Sequence, residues 1–175
     1  MNNLVTVLIP TSVSPLHPDT GQIEECVASI RAQPVVGDAR IVIMADGVYP
    51  QQEHRRSDYT EYLNRLTDLV NSTWVGVELA VHDRHRHQVN MTRDALATID
   101  TPCLLFVEHD WLIRPRGDLP GIDWEACIET VTGGGVNVLR FLYPPVISPY
   151  HVHMMTDTRP VTIGVSSLEP FKIDP

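Results

Sequence analysis

The sequence has few of the residues that mark secreted or nucleic-acid-binding proteins. Only three of its 175 residues are cysteine, at positions 26, 103 and 127. This odd, widely spaced set predicts reduced core thiols in a cytoplasmic protein and not a disulfide framework. Basic residues are also scarce, since 13 Lys and Arg stand against 22 Asp and Glu, a net charge of −9. That balance argues against a basic surface that binds nucleic acid.

Long hydrophobic runs are missing as well. No stretch approaches the roughly 20 apolar residues of a membrane-spanning helix. The N-terminal segment MNNLVTVLIP has neither the basic flank nor the cleavage site of a signal peptide. We therefore expect a single cytoplasmic domain without a membrane segment, large enough to bury roughly two-thirds of its unfolded surface.

Apolar segments rich in β-branched residues alternate with amphipathic ones over the first two-thirds of the chain. The apolar segments predict strands buried on both faces, the first of them stopped by Pro10, and the amphipathic ones predict helices. This alternation predicts an α/β fold, a Rossmann-like, mostly parallel sheet with helices on both faces. The predicted strands are 4–9, 39–45, 75–81 and 103–107, and the predicted helices are 23–30, 58–70 and 89–99.

The last third of the chain is less regular. Asp123 is placed as the N-cap of a helix over 124–131, which the three glycines at 133–135 end. The remaining predictions are a strand at 136–142, a loop at 143–160 and a short strand at 161–165.

In a parallel sheet, ligands bind beyond the carboxyl ends of the strands, and polar residues follow those ends here. The strongest signal is CLLFVEHDW, in which Glu108 and Asp110 come directly after a predicted strand. Alternation along an extended backbone would point both carboxylates to one side, where they could share a divalent ion. Oxygen ligands suit Mg²⁺ or Mn²⁺, completed by substrate phosphates. The alternative is a pair of solvated loop residues.

The ordered set of motifs resembles the GT-A family of glycosyltransferases, the nucleotide-diphospho-sugar transferases. The resemblance covers residues 4–111 and is carried by three segments. VTVLIPT is similar to the family's first strand and nucleotide-facing turn, and ARIVIMADGV to its second strand with a terminal acidic-Gly pair. HQVNMTRDALATIDTPCLLFVEHDW is similar to the helix and strand that lead to the family's DxD-type motif.

The resemblance implies a GT-A-like domain over 1–175 that moves a sugar from a nucleotide-diphosphate sugar to an acceptor. Residues 1–111 would form the nucleotide-sugar-binding half and 112–175 a short acceptor-side part. The acceptor could be a glycan, a protein or a small molecule, and a homo-oligomer could complete its site. The implied metal ligands are Glu108 and Asp110, and the implied donor-binding residues are Pro10, Thr11, Asp46, Gly47, Arg93 and His109.

Two departures from the family pattern keep another function open. The first acid is Glu108 where the family usually has Asp, and Ala45 precedes Asp46 where the family often has paired acids. The alternative is a nucleotide-sugar-binding module or pseudoenzyme without transfer activity. An inverting transferase also needs a carboxylate base for the acceptor hydroxyl. The candidates are Asp157 and Glu169, whereas capping accounts for Asp123.

The histidines support a third interpretation. His82, His85 and His87 crowd one predicted loop, and His-x-His spacing can bind zinc, as in a metal-dependent hydrolase. Arg84 and Arg86 disfavour a cation there, so contact with phosphate or hydroxyl groups, or a solvated loop, is the stronger expectation.

For four further side chains, the sequence leaves more than one role open. Trp111 is expected in the core, with stacking on a sugar as the alternative, and Arg140 is an internal ion-pair partner or an acceptor contact. His151 and His153 repeat the His-x-His spacing, and the family resemblance implies that His153 could supply a later metal ligand.

Overall fold

The structure, a computed structural model, describes residues 2–113, 121–134, 136–139, 161–163 and 166–168. The chain forms two compact units, Met1–Arg114 and Pro115–Pro175. The first unit contains β1 (Asn2–Thr11), α1 (Gly21–Arg31), β2 (Ala39–Ala45), α2 (Arg56–Ser72), β3 (Val77–Val81), α3 (His87–Leu96) and β4 (Cys103–Phe106). Short 3-10 turns precede β2, at Val36–Asp38, and α2, at Pro50–Arg55.

The first unit is built on a four-stranded parallel sheet in the order β3-β2-β1-β4. The predicted fold class, a Rossmann-like α/β fold, is confirmed. Because the chain steps one way from β1 to β3 and then back to β4, right-handed crossovers place α1 and α2 on one face and α3 on the other. Thr11 bonds to Tyr62 of α2, whereas Leu8, on the opposite face, packs with Met91 of α3.

The core lies around the two central strands, whose side chains are almost all buried on both faces. On α2, the buried residues Tyr59, Tyr62 and Leu66 follow the helical spacing expected from the sequence. The edge strands are less covered, and Leu104 and Phe106 of β4 each stay 37% exposed. Burial on both faces therefore holds for β1 and β2 only, since β3 and β4 leave part of their side chains exposed.

Pro10 does not stop the first strand, as the sequence predicted, because β1 continues through it to Thr11. The β1–β4 pairing ends at Leu8 and Phe106, so beyond that point β1 has a neighbour only on the β2 side. The carbonyl of Pro10 faces His109, on the side where β4 has already ended. The N–H that proline lacks would lie on that same side, so its absence costs the sheet no hydrogen bond.

The second unit contains α4 (Trp124–Thr132) and a two-stranded antiparallel pair, β5 (Val161–Ile163) with β6 (Ser166–Leu168). The predicted N-cap is confirmed, because Asp123 Oδ1 accepts from the Ala126 N–H at 3.0 Å. The strand predicted over 136–142 is wrong for residues 136–139, which are irregular. Its last three residues and the predicted loop at 143–160 lie outside the described residues.

All three cysteines are free and buried, as the sequence predicted. Within the described part of the chain, no helix is both long and apolar enough to cross a membrane.

Candidate functional site

The acidic motif forms a tight turn at the carboxyl end of β4. The last bond to the sheet is Val107 N–H to the Leu8 carbonyl, and Trp111 N–H then donates to the Glu108 carbonyl at 2.9 Å. The expectation of an extended backbone here is therefore wrong. A turn still leaves the carboxylates of Glu108 and Asp110 exposed, directly beside the end of β1.

The turn rests on α1 through a buried thiol. Cys26 Sγ lies 3.7 Å from the Glu108 carbonyl oxygen, to which it donates. Burial raises the pKa of Cys26 to about 12, with a further increase from the negative charge of Asp110. The thiol is therefore an inert packing group whose proton stays on sulfur, and it leaves both carboxylates free for a ligand.

Two carboxylates in one turn fit a hard cation such as Mg²⁺ or Mn²⁺, which takes oxygen ligands and keeps several waters or phosphate oxygens. Among the residues that the structure describes, no three His, Cys, Asp or Glu side chains converge as a metal site. From the described residues, a cation at this turn would therefore take the carboxylates of Glu108 and Asp110 alone.

His109, inside the acidic motif, ties the turn to the first strand. Its ring is half-buried, and Nδ1 donates to the carbonyl oxygen of Pro10 at 3.2 Å. The sequence singled out both residues for donor binding. The structure brings them together, with the histidine as the link between β1 and the turn.

Thr11, at the end of β1, is only 2% exposed, and its hydroxyl shares a hydrogen bond of 3.1 Å with the hydroxyl of Tyr62. Burial raises the pKa of Tyr62 to about 12, so this hydroxyl stays neutral. The Thr11 side chain thus faces α2 and the core, and its main chain is what borders the carboxyl edge.

His17 is a buried residue of the β1–α1 loop that the sequence analysis missed. Its ring stacks on Tyr62 at a centroid distance of 3.9 Å and lies 5.2 Å from Tyr59. Nδ1 accepts from the Ser14 N–H at 3.2 Å, which requires that nitrogen to be unprotonated. Burial, and then the charge of His109, lower the pKa of His17 to about 4.

Asp46, at the end of β2, holds the loop that follows β3. The residue is 2% exposed, and its Oδ1 accepts from the N–H groups of Gly47 and Arg86 at 2.8 and 2.6 Å. Its Oδ2 accepts from the His87 N–H at 3.1 Å. Both oxygens are therefore already bonded to protein at the start of α3.

Gly47 lets that loop approach closely. A Cβ at this position would lie 2.1 Å from the backbone carbonyl carbon of Arg84. The acidic-Gly pair of the second strand therefore positions the loop and the first turn of α3. That contact was not predicted, although the adjacent carboxyl ends of β2 and β3 were a signal that could have found it.

The loop brings two histidine rings together. His85 Nε2 and His87 Nδ1 lie 3.2 Å apart, and the ring of His85 also packs against Tyr49. His85 Nδ1 is 2.9 Å from Asp46 Oδ2, close enough for a charge interaction but outside hydrogen-bonding geometry. His82, by contrast, extends the β3 ladder through its N–H to Ala45.

Arg93 and Trp111 are both exposed. Arg93 is six residues into α3, about 9 Å along the axis from His87, and its side chain is 69% exposed. Trp111 is 53% exposed, so its expected place in the core is wrong, and its ring stands in solvent beside the acidic turn.

Five residues singled out from the sequence lie outside the described residues, and their roles stay predictions. They are Asp157, Glu169, Arg140, His151 and His153.

A cavity of about 290 Å³ lies over β2 and β3 beside α3, lined by Val42, Met44, Ala80 and Met91 among others. The ion pair between Arg40 and Glu78 lines the same cavity and is satisfied within itself. The acidic turn does not line this cavity, so the cavity is separate from the carboxylates.

No protein-family model matches the sequence, nor does any curated protein. Two crystal structures of S. aureus TarS, a glycosyltransferase, are similar to it. The first is 18% identical with a TM-score of 0.37, over 61% of this chain and 16% of that one. The second, of TarS 1-349, is 16% identical with a TM-score of 0.42, over 75% of this chain and 31% of that one. The chain spans less than a third of the length of either structure.

Proposed function

We propose that the protein is a glycosyltransferase that uses a nucleotide-diphosphate sugar, with Glu108 and Asp110 binding Mg²⁺ or Mn²⁺. The observation that carries the proposal is the acidic turn, with two exposed carboxylates at the carboxyl end of β4, directly beside the end of the central strand β1. Ligands of open parallel sheets bind at this edge.

The residues around the turn suit the nucleoside side of such a donor. Pro10 and Thr11 end β1, and Asp46 and Gly47 directly follow β2, where Asp46 N–H donates to the Thr11 carbonyl, so the two segments lie side by side at the carboxyl edge of the sheet. Because the Thr11 and Asp46 side chains are bonded within the protein, they would act by fixing the backbone around a nucleoside. His109 would hold the turn against that edge.

The chemistry follows from charge. Cleaving the bond between sugar and diphosphate leaves negative charge on the departing phosphate, and a bound divalent ion supplies the charge that stabilises it. Glu108 and Asp110 would hold that ion, and Arg93, which is 69% exposed and lies 3.7 Å from Asp94 Oδ1, is the candidate second contact to the diphosphate. The base that takes the acceptor proton is proposed to be Asp157 or Glu169.

The test is Asp110→Asn in the full chain. This change keeps the size of the side chain and removes its charge, so Mn²⁺-dependent release of nucleoside diphosphate should fall about 10²–10³-fold. The assay is a panel of nucleotide sugars with Mn²⁺, read as released nucleoside diphosphate, with donor binding followed by calorimetry. Asp68→Asn is the matched control, because Asp68 is an exposed acid on α2 and should leave the rate unchanged.

Wild-type turnover in Asp110→Asn would contradict the proposal that this turn binds the divalent ion. Binding of a nucleotide sugar without release, with every acceptor tried, would instead favour the binding module. The observation that supports this second function is that Glu108 and Ala45 differ from the residues usual at these positions in the GT-A family.

A further inference from the structure

We propose that His85 and His87 form the protein half of a second cation site, for a late first-row transition-metal ion such as Zn²⁺ or Ni²⁺. The site uses different residues from the acidic turn and a different class of cation. It shares only Asp46 with the residues proposed for the nucleoside, and neither histidine takes part in the glycosyl transfer proposed above.

The first observation is the separation of the two nitrogens. Two imidazoles bound to one tetrahedral ion at about 2.0–2.1 Å place their nitrogens about 3.3 Å apart. His85 Nε2 and His87 Nδ1 lie 3.2 Å apart, with their rings at an interplanar angle of 65°. In the metal-free protein the same separation accommodates one shared hydrogen bond, so the pair needs little rearrangement to accept an ion.

The second observation is the carboxylate behind the pair. Metal-binding histidines usually present their other ring nitrogen to a carboxylate, which orients the ring and increases its basicity. His85 Nδ1, the ring nitrogen that does not face His87, lies 2.9 Å from Asp46 Oδ2, close enough for a charge interaction although outside hydrogen-bonding geometry. Asp46 is itself buried and fixed by three backbone N–H groups, so its position is set by the fold.

The third observation is backbone strain. His87 has a φ of +59°, in the left-handed region, which costs a residue other than glycine on the order of 1 kcal/mol. This conformation comes at the first residue of α3, where the ring of His87 meets that of His85. Strain of this kind persists where the surroundings enforce it, and it recurs at ligand sites.

The nearby arginines do not leave a net positive field. Arg86 pairs with Asp94 through a short contact of Nη2 with Oδ2, and Arg84 Nε lies 3.9 Å from Asp83 Oδ1. Arg93 Nε also lies 3.7 Å from Asp94 Oδ1, so with Asp46 added three carboxylates stand against three guanidinium groups near the histidine pair. The guanidinium charge that disfavours a cation in the sequence is thus balanced by carboxylates in the fold.

Two imidazoles define the class of ion. Nitrogen ligands select Zn²⁺, Ni²⁺ or Cu²⁺ over Mg²⁺ and Mn²⁺, which prefer oxygen. Among the described residues, no third His, Cys, Asp or Glu converges on the pair. The pair therefore supplies two of the four ligands that a tetrahedral ion takes.

The experiment is calorimetric titration of the full chain with Zn²⁺ and Ni²⁺, and with Mg²⁺ as the contrasting ion. Wild-type protein should bind about one equivalent of Zn²⁺ or Ni²⁺ at the pair. His87→Gly removes one ligand and suits the positive φ, so the variant should fold at least as well as wild type and bind at least 10-fold more weakly. His85→Gln should weaken binding similarly, and the Co²⁺-loaded wild type should show the absorption bands of a nitrogen-ligated ion, lost in both variants.

His54→Gln is the matched control, because His54 is an exposed histidine of the 3-10 turn before α2 and should leave binding unchanged. A double change of His151 and His153 to Gln tests the other His-x-His pair of the sequence. Equal affinity in His87→Gly and wild type, loss of binding only in the 151/153 variant, or no binding of Zn²⁺ and Ni²⁺ by wild type would each overturn the proposal.

Discussion

Gly47 lies where the backbone of the loop after β3 comes closest to the end of β2. Because a Cβ would meet the backbone of Arg84 at 2.1 Å, the cost cannot be absorbed by a flexible side chain. We expect Gly47→Ala to lower the free energy of unfolding by about 1–3 kcal/mol, the usual range for overpacking. Urea unfolding followed by circular dichroism measures it.

Gly121→Ala is the matched control for that change, because nothing lies within 4 Å of a Cβ at this position. Gly47→Ala should also displace the loop held by Asp46, and with it the separation of the two histidine rings. Unchanged unfolding in Gly47→Ala, together with unchanged Zn²⁺ affinity, would contradict the close approach.

At the residue scale, the sequence identified the right positions more often than the right partners. Asp46-Gly47 was predicted from its place after a strand, but its partners are backbone groups about 40 residues later in the chain. His17 carried no signal at all, since its loop has no periodicity. A single sequence shows which residues follow a strand, whereas the packing that buries them depends on the whole sheet.

The β1–α1 loop and α2 are joined by the stack of His17 on two tyrosines. Because the folded pKa of about 4 is below the ordinary value of 6.5, the unfolded chain binds more protons between these values. Stability from this group is therefore fully present above pH 6.5 and is lost as the pH falls towards 4. At pH 5 we expect a loss on the order of 2 kcal/mol.

His17→Phe keeps a flat ring in the stack and cannot be protonated, so it should lose that part of the acid sensitivity. The measurement is the difference in unfolding free energy between pH 7.5 and pH 5 for wild type and variant. Charges that face His17, from His109, Arg55 and Asp58, remain in both proteins and cancel in the comparison. His54→Gln should keep the wild-type difference, and an identical loss in His17→Phe would contradict the assignment.

Elements were predicted well where apolar runs and helical spacing were long. The bounds of β2 agree with the prediction residue for residue, and α2 extends two residues beyond it at each end. The failures came where the chain leaves the sheet. Pro10 continues a strand because β4 has already ended beside it, and residues 108–111 turn instead of extending. Both depend on where a neighbouring strand ends, which local sequence does not specify.

At the scale of the whole molecule, the first unit contains the complete four-stranded sheet, its three helices and the acidic turn. We expect a chain that ends at Arg114 to fold by itself, because its core is formed by the packing of β1 and β2 under helices of the same unit. It should unfold cooperatively on heating, with an α/β far-ultraviolet spectrum. It should also retain Mn²⁺-dependent binding of a nucleoside diphosphate and lose sugar transfer, since the proposed bases at 157 and 169 are absent.

The control is a chain that ends at Asp100, which lacks β4. Without that strand β1 loses one of its two neighbours and the four residue pairs from Val5 to Leu8, so the central strand becomes an open edge. This shorter chain should neither unfold cooperatively nor bind nucleotide. If the chain ending at Arg114 behaves in the same way, the second unit is required for the fold of the first. Sugar transfer by that chain would instead place the acceptor base within residues 1–114, because both proposed bases would be missing.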